Sequence, residues 1–241
     1  MRSTDATRFC KICFKEIKED SLASLLGEYS ICDLCFQRME PKMRSVRLGK
    51  WKGYCLYPYN DCIRSLIYQF KGCFDYELKG VFLARQKGFF AWRFRNYVIV
   101  PAPSYESHNE RRGFNHVEEI FKELSLPIEN VLLKTSDVKQ SDLNAKERKE
   151  VSKRIAFKDG ENISGKNVLF VDDILTTGST AKACMSLLAE HGAKKISFLI
   201  LAKGELRESP KRKIQKAFAK AVSLFRSLFE RVRKRRRGVI P

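Results

Sequence analysis

Runs of consecutive apolar residues mark three segments of the chain that have the length of buried strands. They are Tyr97–Val100, the segment 167–171 and the segment 195–201. Unbroken apolar runs are typical of parallel strands whose sheet is covered by helices on both faces, whereas half-exposed strands alternate between apolar and polar residues. The short aromatic segment 54–59 also fits a strand.

Apolar residues at three- and four-residue steps predict helices between these strands. Four segments show this spacing: 62–70, 76–90, 117–124 and a segment after residue 180 that Gly192 should end. The segment 36–53 is predicted to be a linker or a short helix, and the polar segment 105–112 a loop. Strands alternating with helices predict an α/β fold with a parallel sheet flanked by helices.

The chain of 241 residues is long enough for one ordinary domain with smaller additions. Its formal net charge is +19, and residues 203–241 contribute +11 of it. A polyanionic partner and simple solubility account for this basic character about equally well. The sequence has no apolar run long enough to span a bilayer and no secretory signal, which predicts a cytoplasmic protein.

The segment 204–241 is predicted to be a basic helical tail. Ser209 and Pro210 are typical of a helix start, and apolar residues then recur at helical spacing up to Val232. Lysines and arginines cover the opposite side. A basic amphipathic helix suits an anionic membrane surface or an acidic partner, so peripheral contact with the inner membrane surface is one hypothesis. Packing on the neighbouring domain with the basic face in water is an equal alternative.

Two Cys-x2-Cys pairs lie near the N-terminus, Cys10 with Cys13 and Cys32 with Cys35. This spacing fits a tetrahedral site of four thiolates, and zinc is the metal that such a site favours. Four cysteines leave no open position for water, so the role predicted for the zinc is structural. Disulfides and a redox pair are the alternatives. The remaining cysteines are expected to be small, partly buried hydrophobic residues: Cys55, Cys62, Cys73 and Cys184.

Two adjacent carboxylates, Asp172 and Asp173, follow the apolar segment 167–171. A loop rich in hydroxyl groups comes next, and a helix should begin there; its residues are Thr176, Thr177, Gly178, Ser179 and Thr180. Backbone N–H groups at a helix N-terminus bind phosphate, while two carboxylates repel it but accept hydrogen bonds from a sugar diol. A phosphorylated ribose satisfies both halves. The alternative is an ordinary strand, turn and helix with polar turn residues.

A second loop follows the strand candidate Tyr97–Val100. It begins with Pro101, Ala102, Pro103 and Ser104, and it ends in the basic residues Arg111 and Arg112. Loops after parallel strands meet at the carboxyl edge of the sheet, where ligands of open α/β folds bind. Both loops should therefore face one crevice with two phosphate sites. The polar segment 135–150 is predicted to be a mobile loop beside it.

The stretch 167–180 resembles the phosphoribosyl-pyrophosphate (PRPP) signature of the type I phosphoribosyltransferases. That signature is an apolar strand, Asp/Glu-Asp, two variable residues and Thr-Thr-Gly-x-Thr, and every position matches here. The resemblance implies a type I phosphoribosyltransferase-like fold.

Taken together, the chain resembles the ComF family, bacterial competence proteins with a zinc-finger-like N-terminus and a phosphoribosyltransferase domain. The resemblance covers about residues 8–203 and rests on six colinear pieces: the two cysteine pairs, the segment 67–72, the segment 100–103, the segment 112–115, the segment 134–157 and the PRPP signature. The family usually has glutamine where this chain has His116. The predicted domains are a zinc-finger-like segment with four cysteine ligands (1–45), a phosphoribosyltransferase-like domain (46–203) and the tail (204–241).

The resemblance implies a role for each site residue. Asp172 and Asp173 would hold the ribose hydroxyls, and residues 176–180 the 5′-phosphate. Ala102, Pro103 and Ser104, with Arg111 and Arg112, would face the pyrophosphate. Mg²⁺ would bridge pyrophosphate and ribose.

The resemblance also implies a protein of natural competence that binds PRPP and single-stranded DNA during DNA uptake, alongside other competence proteins. Phosphoribosyl transfer is possible, but no general base for an acceptor can be named. The alternative is a phosphoribosyltransferase of nucleotide metabolism that acts on a small-molecule base.

Overall fold

The computed structural model describes residues 9–17, 30–134 and 155–204. The predicted mobile loop at 135–150 and residues 205–241 of the predicted tail lie outside the described residues. Within those residues, no helix has the length and apolar character needed to cross a bilayer.

The described residues form a five-stranded sheet and a separate two-stranded sheet. The five strands are β1 (Arg44–Leu48), β2 (Trp51–Pro58), β3 (Val98–Pro101), β6 (Asn167–Leu175) and β7 (Lys195–Lys203), and their spatial order is β1-β2-β7-β6-β3. All neighbours pair in parallel except the hairpin β1–β2. The strands β4 (Leu132–Lys134) and β5 (Ile155–Phe157) form the small antiparallel sheet. The predicted parallel α/β sheet is thus confirmed, with one antiparallel edge strand.

Helices connect the strands and cover both faces of the larger sheet. They are α1 (Asp33–Arg38), α2 (Asp61–Gly72), α3 (Lys87–Arg93), α4 (Glu106–Arg112), α5 (His116–Phe121) and α6 (Ser179–Glu190). Short 3-10 helices span Tyr76–Val81 and Lys122–Leu124.

The side chains of β6 separate into two cores because successive residues of a strand point to opposite faces. Leu169 and Val171 belong to a large aromatic core that includes residues of α2, α3 and α5. Val168 and Phe170 belong to a second core, which the α6 residues Cys184 and Leu188 complete. Burial on both faces explains why this strand is an unbroken apolar run in the sequence.

Three local predictions were wrong. The segment 36–53, predicted to be a linker or a short helix, contains β1 and the start of β2. This edge strand was missed because it is largely exposed and carries few apolar residues. The segment 76–90 is a 3-10 helix and a separate α3, and its glycines Gly80 and Gly88 disfavour one continuous helix. The segment 105–112 contains the helix α4, which has no buried residue and therefore no apolar pattern.

Candidate functional site

The two acidic residues of the predicted signature lie at the carboxyl end of β6. Asp172 is half-buried and Asp173 is buried. The loop after β3 begins beside them, because the Ala102 backbone N–H donates to the Val171 carbonyl at 2.8 Å. The structure therefore brings the proline loop and the acidic pair to one edge of the sheet, as the topology rule for parallel strands predicts.

The hydroxyl-rich loop leads directly into α6, a helix of 12 residues. Gly178 occupies the N-cap position with φ = +74°, and a Cβ placed there would lie 3.0 Å from Leu48 Cδ2. The Thr177 and Ser179 hydroxyls are 2.8 Å apart, and Thr176 and Thr177 are exposed. The Ser179 backbone N–H lies 3.4 Å from the Thr177 hydroxyl that accepts from it, so hydroxyl groups and backbone N–H groups come together at one helix N-terminus, which suits a phosphate.

Asp173 is bound by two basic side chains from other elements. The Lys71 ammonium donates to Asp173 Oδ2 at 2.7 Å from the end of α2, and His116 Nε2 lies 3.2 Å from the same oxygen at the start of α5. Arg112 Nη1 lies 3.0 Å from His116 Nδ1. Because arginine only donates, Nδ1 must accept, and Nε2–H then donates to the carboxylate. The result is a directed chain from Arg112 through His116 to Asp173.

The electrostatics of this chain agree with its hydrogen bonds. Burial alone would raise the pKa of Asp173, but the hydrogen bond from His116 and the Lys71 ammonium outweigh it and hold that pKa well below its usual range. Burial lowers the pKa of His116 against the pull of Asp173, so the imidazole is neutral at pH 7. Asp173 is thus ionised and compensated inside the protein.

Asp172 has the opposite character. Burial and the adjacent Asp173 charge raise the pKa of Asp172 to about 8. Lys134, at the end of β4, has a pKa that burial lowers and the Asp172 carboxyl raises in part. The two neighbouring carboxyls therefore differ in charge at pH 7, which is the usual result when like charges share a site.

The segment 112–116 forms the turn between α4 and α5, and each of its residues makes a specific contact or holds a specific backbone conformation. Gly113 ends α4 with φ = +78°, and Phe114 packs between Phe70 and Tyr76, with ring centroids 5.2 Å from each. The Asn115 side chain caps α5 by accepting from two backbone N–H groups. Arg112 and His116 are thereby fixed on the same side of Asp173.

Two cavities of about 230 Å³ adjoin the site, one on each side of α4. The first is lined by the proline loop, including Pro101, Ala102, Pro103 and Ser104. The second is lined by Lys71, Arg111 and Arg112 together with His108. Three cationic side chains around one cavity make it suitable for a polyanion.

The four N-terminal cysteines converge as predicted. The Sγ atoms of Cys10, Cys13, Cys32 and Cys35 all lie within 4.8 Å of one another. Cys13 and Cys32 are 3.7 Å apart, close to the roughly 3.8 Å edge of a tetrahedron with zinc–sulfur bonds of about 2.3 Å. No two of the eight cysteines are disulfide-bonded. A closed four-thiolate metal site fits this donor set.

The cysteine cluster packs on the aromatic core of the main domain. Cys10 and Cys35 are buried members of that core, and Ser30 donates from its hydroxyl to the Gly80 carbonyl at 3.3 Å. Arg85 forms an ion pair with Asp33 and lies over the Phe36 ring. The cysteine cluster and α2, the helix that carries Lys71, therefore share one core.

Comparisons with known proteins agree with this architecture. Residues 110–228 match the family described as "Phosphoribosyl transferase domain". The chain is 29% identical to "Competence protein ComFC" of Bacillus subtilis over 57% of this chain and 58% of that protein. It is 28% identical to "Competence protein ComFC" of Streptococcus pneumoniae over 76% of this chain and 85% of that protein.

A third relative, "Competence protein F" of Haemophilus influenzae, is 33% identical over 44% of this chain and 50% of that protein. The alignments with the Bacillus and Haemophilus proteins thus cover less than two thirds of those proteins' lengths. Three similar competence proteins, the transferase-type domain and the four-cysteine cluster point to one family. They fit a ComF-family protein.

Two residues that contact Asp173 were absent from the predicted site. Lys71 lies 102 residues before Asp173 in the sequence, so only the fold reveals their ion pair. His116 was recognised as a departure from the usual glutamine, and the structure shows it bound to Asp173. The family motifs at 67–72 and 112–115 end at or beside these residues and were the available signal.

The residues predicted to face the pyrophosphate do not all line the same cavity. Arg111 and Arg112 line the cationic cavity, whereas the segment 101–104 lines the cavity on the other side of α4. Among the other cysteines, Cys55 and Cys184 are buried, but Cys73 is exposed and the expectation for it was wrong.

Replacing Lys71 should expose the cost of an uncompensated Asp173. We expect Lys71→Met to lower the free energy of unfolding at pH 7 by about 1–3 kcal/mol, less than for a fully buried pair because Lys71 is partly exposed. Asp173 stabilises the fold above its unfolded pKa of about 3.9, and this contribution is lost as pH falls through its lowered folded pKa. The deficit of the variant should therefore shrink below about pH 4. Urea unfolding of the wild type and the variant at pH 7 and below pH 4 measures this difference in the free energy of unfolding.

The matched control is Arg64→Met, which breaks an exposed ion pair with Asp61 and should cost less than about 0.5 kcal/mol. The double variant Lys71→Met/Asp173→Asn should recover part of the loss, because no buried charge then remains. Equal losses in the Lys71 and Arg64 variants would contradict the interpretation.

Proposed function

We propose that the carboxyl edge of the sheet binds PRPP, with its ribose on the acidic pair and its 5′-phosphate on the N-terminus of α6. The observation that carries this proposal is the placement of Asp172 and Asp173 directly before a glycine-capped helix. Carboxylates accept from the ribose hydroxyls, and residues 176–180 donate to the phosphate. These two chemistries stand side by side and match the two parts of a phosphorylated ribose.

The pyrophosphate is assigned to the cationic side of the crevice. Arg111 and Arg112 line the cavity together with Lys71, which adds one cation to the set predicted from the sequence. Ala102, Pro103 and Ser104, which were also expected to face the pyrophosphate, line the separate cavity on the other side of α4. A polyanion in the cationic cavity would be neutralised from the α2 and α4 sides.

Mg²⁺ would enter with PRPP as part of the ligand. Asp172 and Asp173 offer the hard oxygen ligands that Mg²⁺ prefers, and Asp172 is the carboxyl that is half-buried and not committed to an ion pair with Lys71. A divalent cation beside it would favour the ionised form. In a transfer reaction, a bond from the acceptor to ribose C1 would form as the bond from C1 to pyrophosphate breaks, and Arg111, Arg112 and Lys71 would stabilise the negative charge of the departing pyrophosphate.

The biological role proposed is that of a cytoplasmic competence protein that handles single-stranded DNA during uptake, with other competence proteins as partners. The names of the Bacillus, Streptococcus and Haemophilus relatives support a competence role. The net charge of +19 supports a nucleic-acid partner. Peripheral contact with the inner membrane surface through residues 204–241 is a subsidiary hypothesis.

The metal proposed for the four-cysteine cluster is structural zinc. The four Sγ atoms supply a complete tetrahedral shell, so a bound zinc has no open position for substrate. Its contribution would be to hold α1 and the preceding turn on the aromatic core.

PRPP binding should depend on the acidic pair. Isothermal titration of Mg²⁺ and PRPP into Asp172→Asn/Asp173→Asn is expected to show affinity at least about tenfold lower than for the wild type, since hydrogen bonds to charged groups contribute about 1.5–3 kcal/mol each. Asp61→Asn is the matched control, because Asp61 is an exposed carboxylate on α2. Unchanged affinity in the double variant would refute the assignment of the ribose site.

Pyrophosphate release separates a transferase from a protein that only binds PRPP. The wild-type protein is incubated with Mg²⁺, PRPP and either purine and pyrimidine bases or single-stranded DNA. We expect release that requires an acceptor if the domain is catalytic, and Arg111→Gln/Arg112→Gln should slow it at least about tenfold. Release with a small base and none with DNA would favour nucleotide metabolism over the competence role.

Loss of a metal ligand should destabilise the N-terminal segment. Purified protein is expected to hold one zinc ion per chain, and Cys13→Ser should lower both the zinc content and the melting temperature. The exposed Cys73 supplies the control, since Cys73→Ser should change neither quantity. Full zinc content in Cys13→Ser would contradict a four-cysteine site.

A further inference from the structure

A second surface with a distinct chemistry lies towards the opposite, amino-terminal edge of the sheet. We call it the aromatic–basic surface; its members are Arg47, Lys52, Phe89, Trp92, Arg93 and Arg95. Lys52 pairs with Ser197 near the start of β7, and α3 precedes the start of β3. The acidic pair lies at the other end of the same strands. A ligand on this surface would therefore leave the PRPP crevice open.

The hairpin part of the surface holds two like charges in direct opposition. Arg47 and Lys52 are cross-strand partners in the β1–β2 register, and both are exposed. Like charges directly opposite each other destabilise a hairpin. Among the described residues neither side chain has an acidic partner, and the segment 41–60 contains five lysines and arginines and no acidic residue. An anionic ligand would relieve this repulsion.

The helical part of the surface presents aromatic rings to solvent. Trp92 is 62% exposed and Phe89 46% exposed, although both belong to a well-formed α3. The Arg95 guanidinium lies 5.6 Å from the centre of the Trp92 ring. Two exposed aromatic rings with a cation beside one of them can supply stacking and cation–π contacts to a ligand.

A chain of edge-to-face ring contacts links the strand of the first part to the helix of the second. The Tyr54 ring lies 5.8 Å from Phe90, and Phe90 lies 5.0 Å from Phe89. Lys52 stands two residues before Tyr54 on β2, so their side chains share a face of the sheet. The contacts thus run from β2, which carries Lys52, to α3, which carries Phe89 and Trp92.

The chemistry of this surface selects the class of ligand. Flat aromatic faces stack on unpaired bases, and the cations contact the phosphates between them, which is the recurring design of proteins that bind single strands. A duplex keeps its base faces stacked inside and offers its phosphates and base edges, but no free face for an aromatic ring. We propose that the aromatic–basic surface binds single-stranded nucleic acid by stacking bases on Trp92 and Phe89. This inference deepens the proposed role in DNA handling and rests on it.

Fluorescence anisotropy of a labelled oligothymidylate tests the surface in the full chain. Trp92→Ala should weaken binding about fivefold or more, the lower end for loss of one stacked base. Arg47→Gln/Lys52→Gln should reduce the slope of log affinity against log salt by about 1.4, because two phosphate contacts are lost. The matched controls are Tyr68→Ala, an aromatic residue of α2 that is 67% exposed, and Arg64→Gln. Both controls should bind as the wild type does.

Tryptophan fluorescence gives a second readout that does not depend on an alanine variant folding. The chain has two tryptophans, so Trp51→Phe leaves Trp92 as the reporter. The oligonucleotide should quench this signal, and a duplex of the same sequence should compete at least about tenfold less well. Titration of Mg²⁺ and PRPP should give wild-type affinity in all the surface variants, which shows that the opposite edge is intact.

Each failure has its own signature. Wild-type binding that persists in both surface variants, or an unquenched Trp92, overturns this surface while leaving DNA handling in place. A wild type that binds no single strand overturns DNA handling together with the surface, whereas PRPP titration decides the crevice separately. Trp92-dependent binding to anionic phospholipid vesicles without oligonucleotide binding also overturns the proposal, since it identifies a membrane as the ligand.

Discussion

The arrangement of the candidate site depends on one buried carboxylate. Asp173 accepts from Lys71 of α2 and from His116 of α5, so a single side chain of β6 connects three elements that are distant in sequence. A buried charge is costly unless it is paired, and this requirement fixes where the end of α2 and the start of α5 must lie. Arg112 is positioned in turn through His116. The cationic wall of the crevice therefore follows from the need to neutralise one residue.

Much of the candidate site could be predicted because its residues are close together in the sequence. One continuous stretch supplies the strand β6, the acidic pair and the N-terminus of α6. Its apolar run, its two carboxylates and its glycine can each be recognised in the sequence. The four cysteines were equally legible, because metal-ligand spacing is short and specific. The contact between Lys71 and Asp173 could not be predicted from the sequence, since it depends on how α2 packs on the sheet. The edge strand β1 and the helix α4 were missed for a related reason: both are largely exposed and carry no apolar period.

The N-terminal cysteine cluster is an integral part of the packing. Its buried cysteines belong to the same core as α2 and α3, and Arg85 ties α1 to the segment before α3. Four cysteines bound to a metal would therefore support the elements that present Lys71 on one side and the rings of α3 on the other. The shared core gives the predicted zinc a structural task beyond its own turns.

Gly178 meets two independent constraints. Its φ of +74° disfavours any side chain, and a Cβ atom would lie in tight contact with Leu48 Cδ2 at 3.0 Å and Leu175 Cδ1 at 3.3 Å. The first constraint comes from the turn into α6 and the second from the side chains of two different strands. Shortening Leu48 would create space but would leave the dihedral penalty in place. Relieving the contact therefore does not remove the dihedral constraint, and glycine stays favoured at the start of α6.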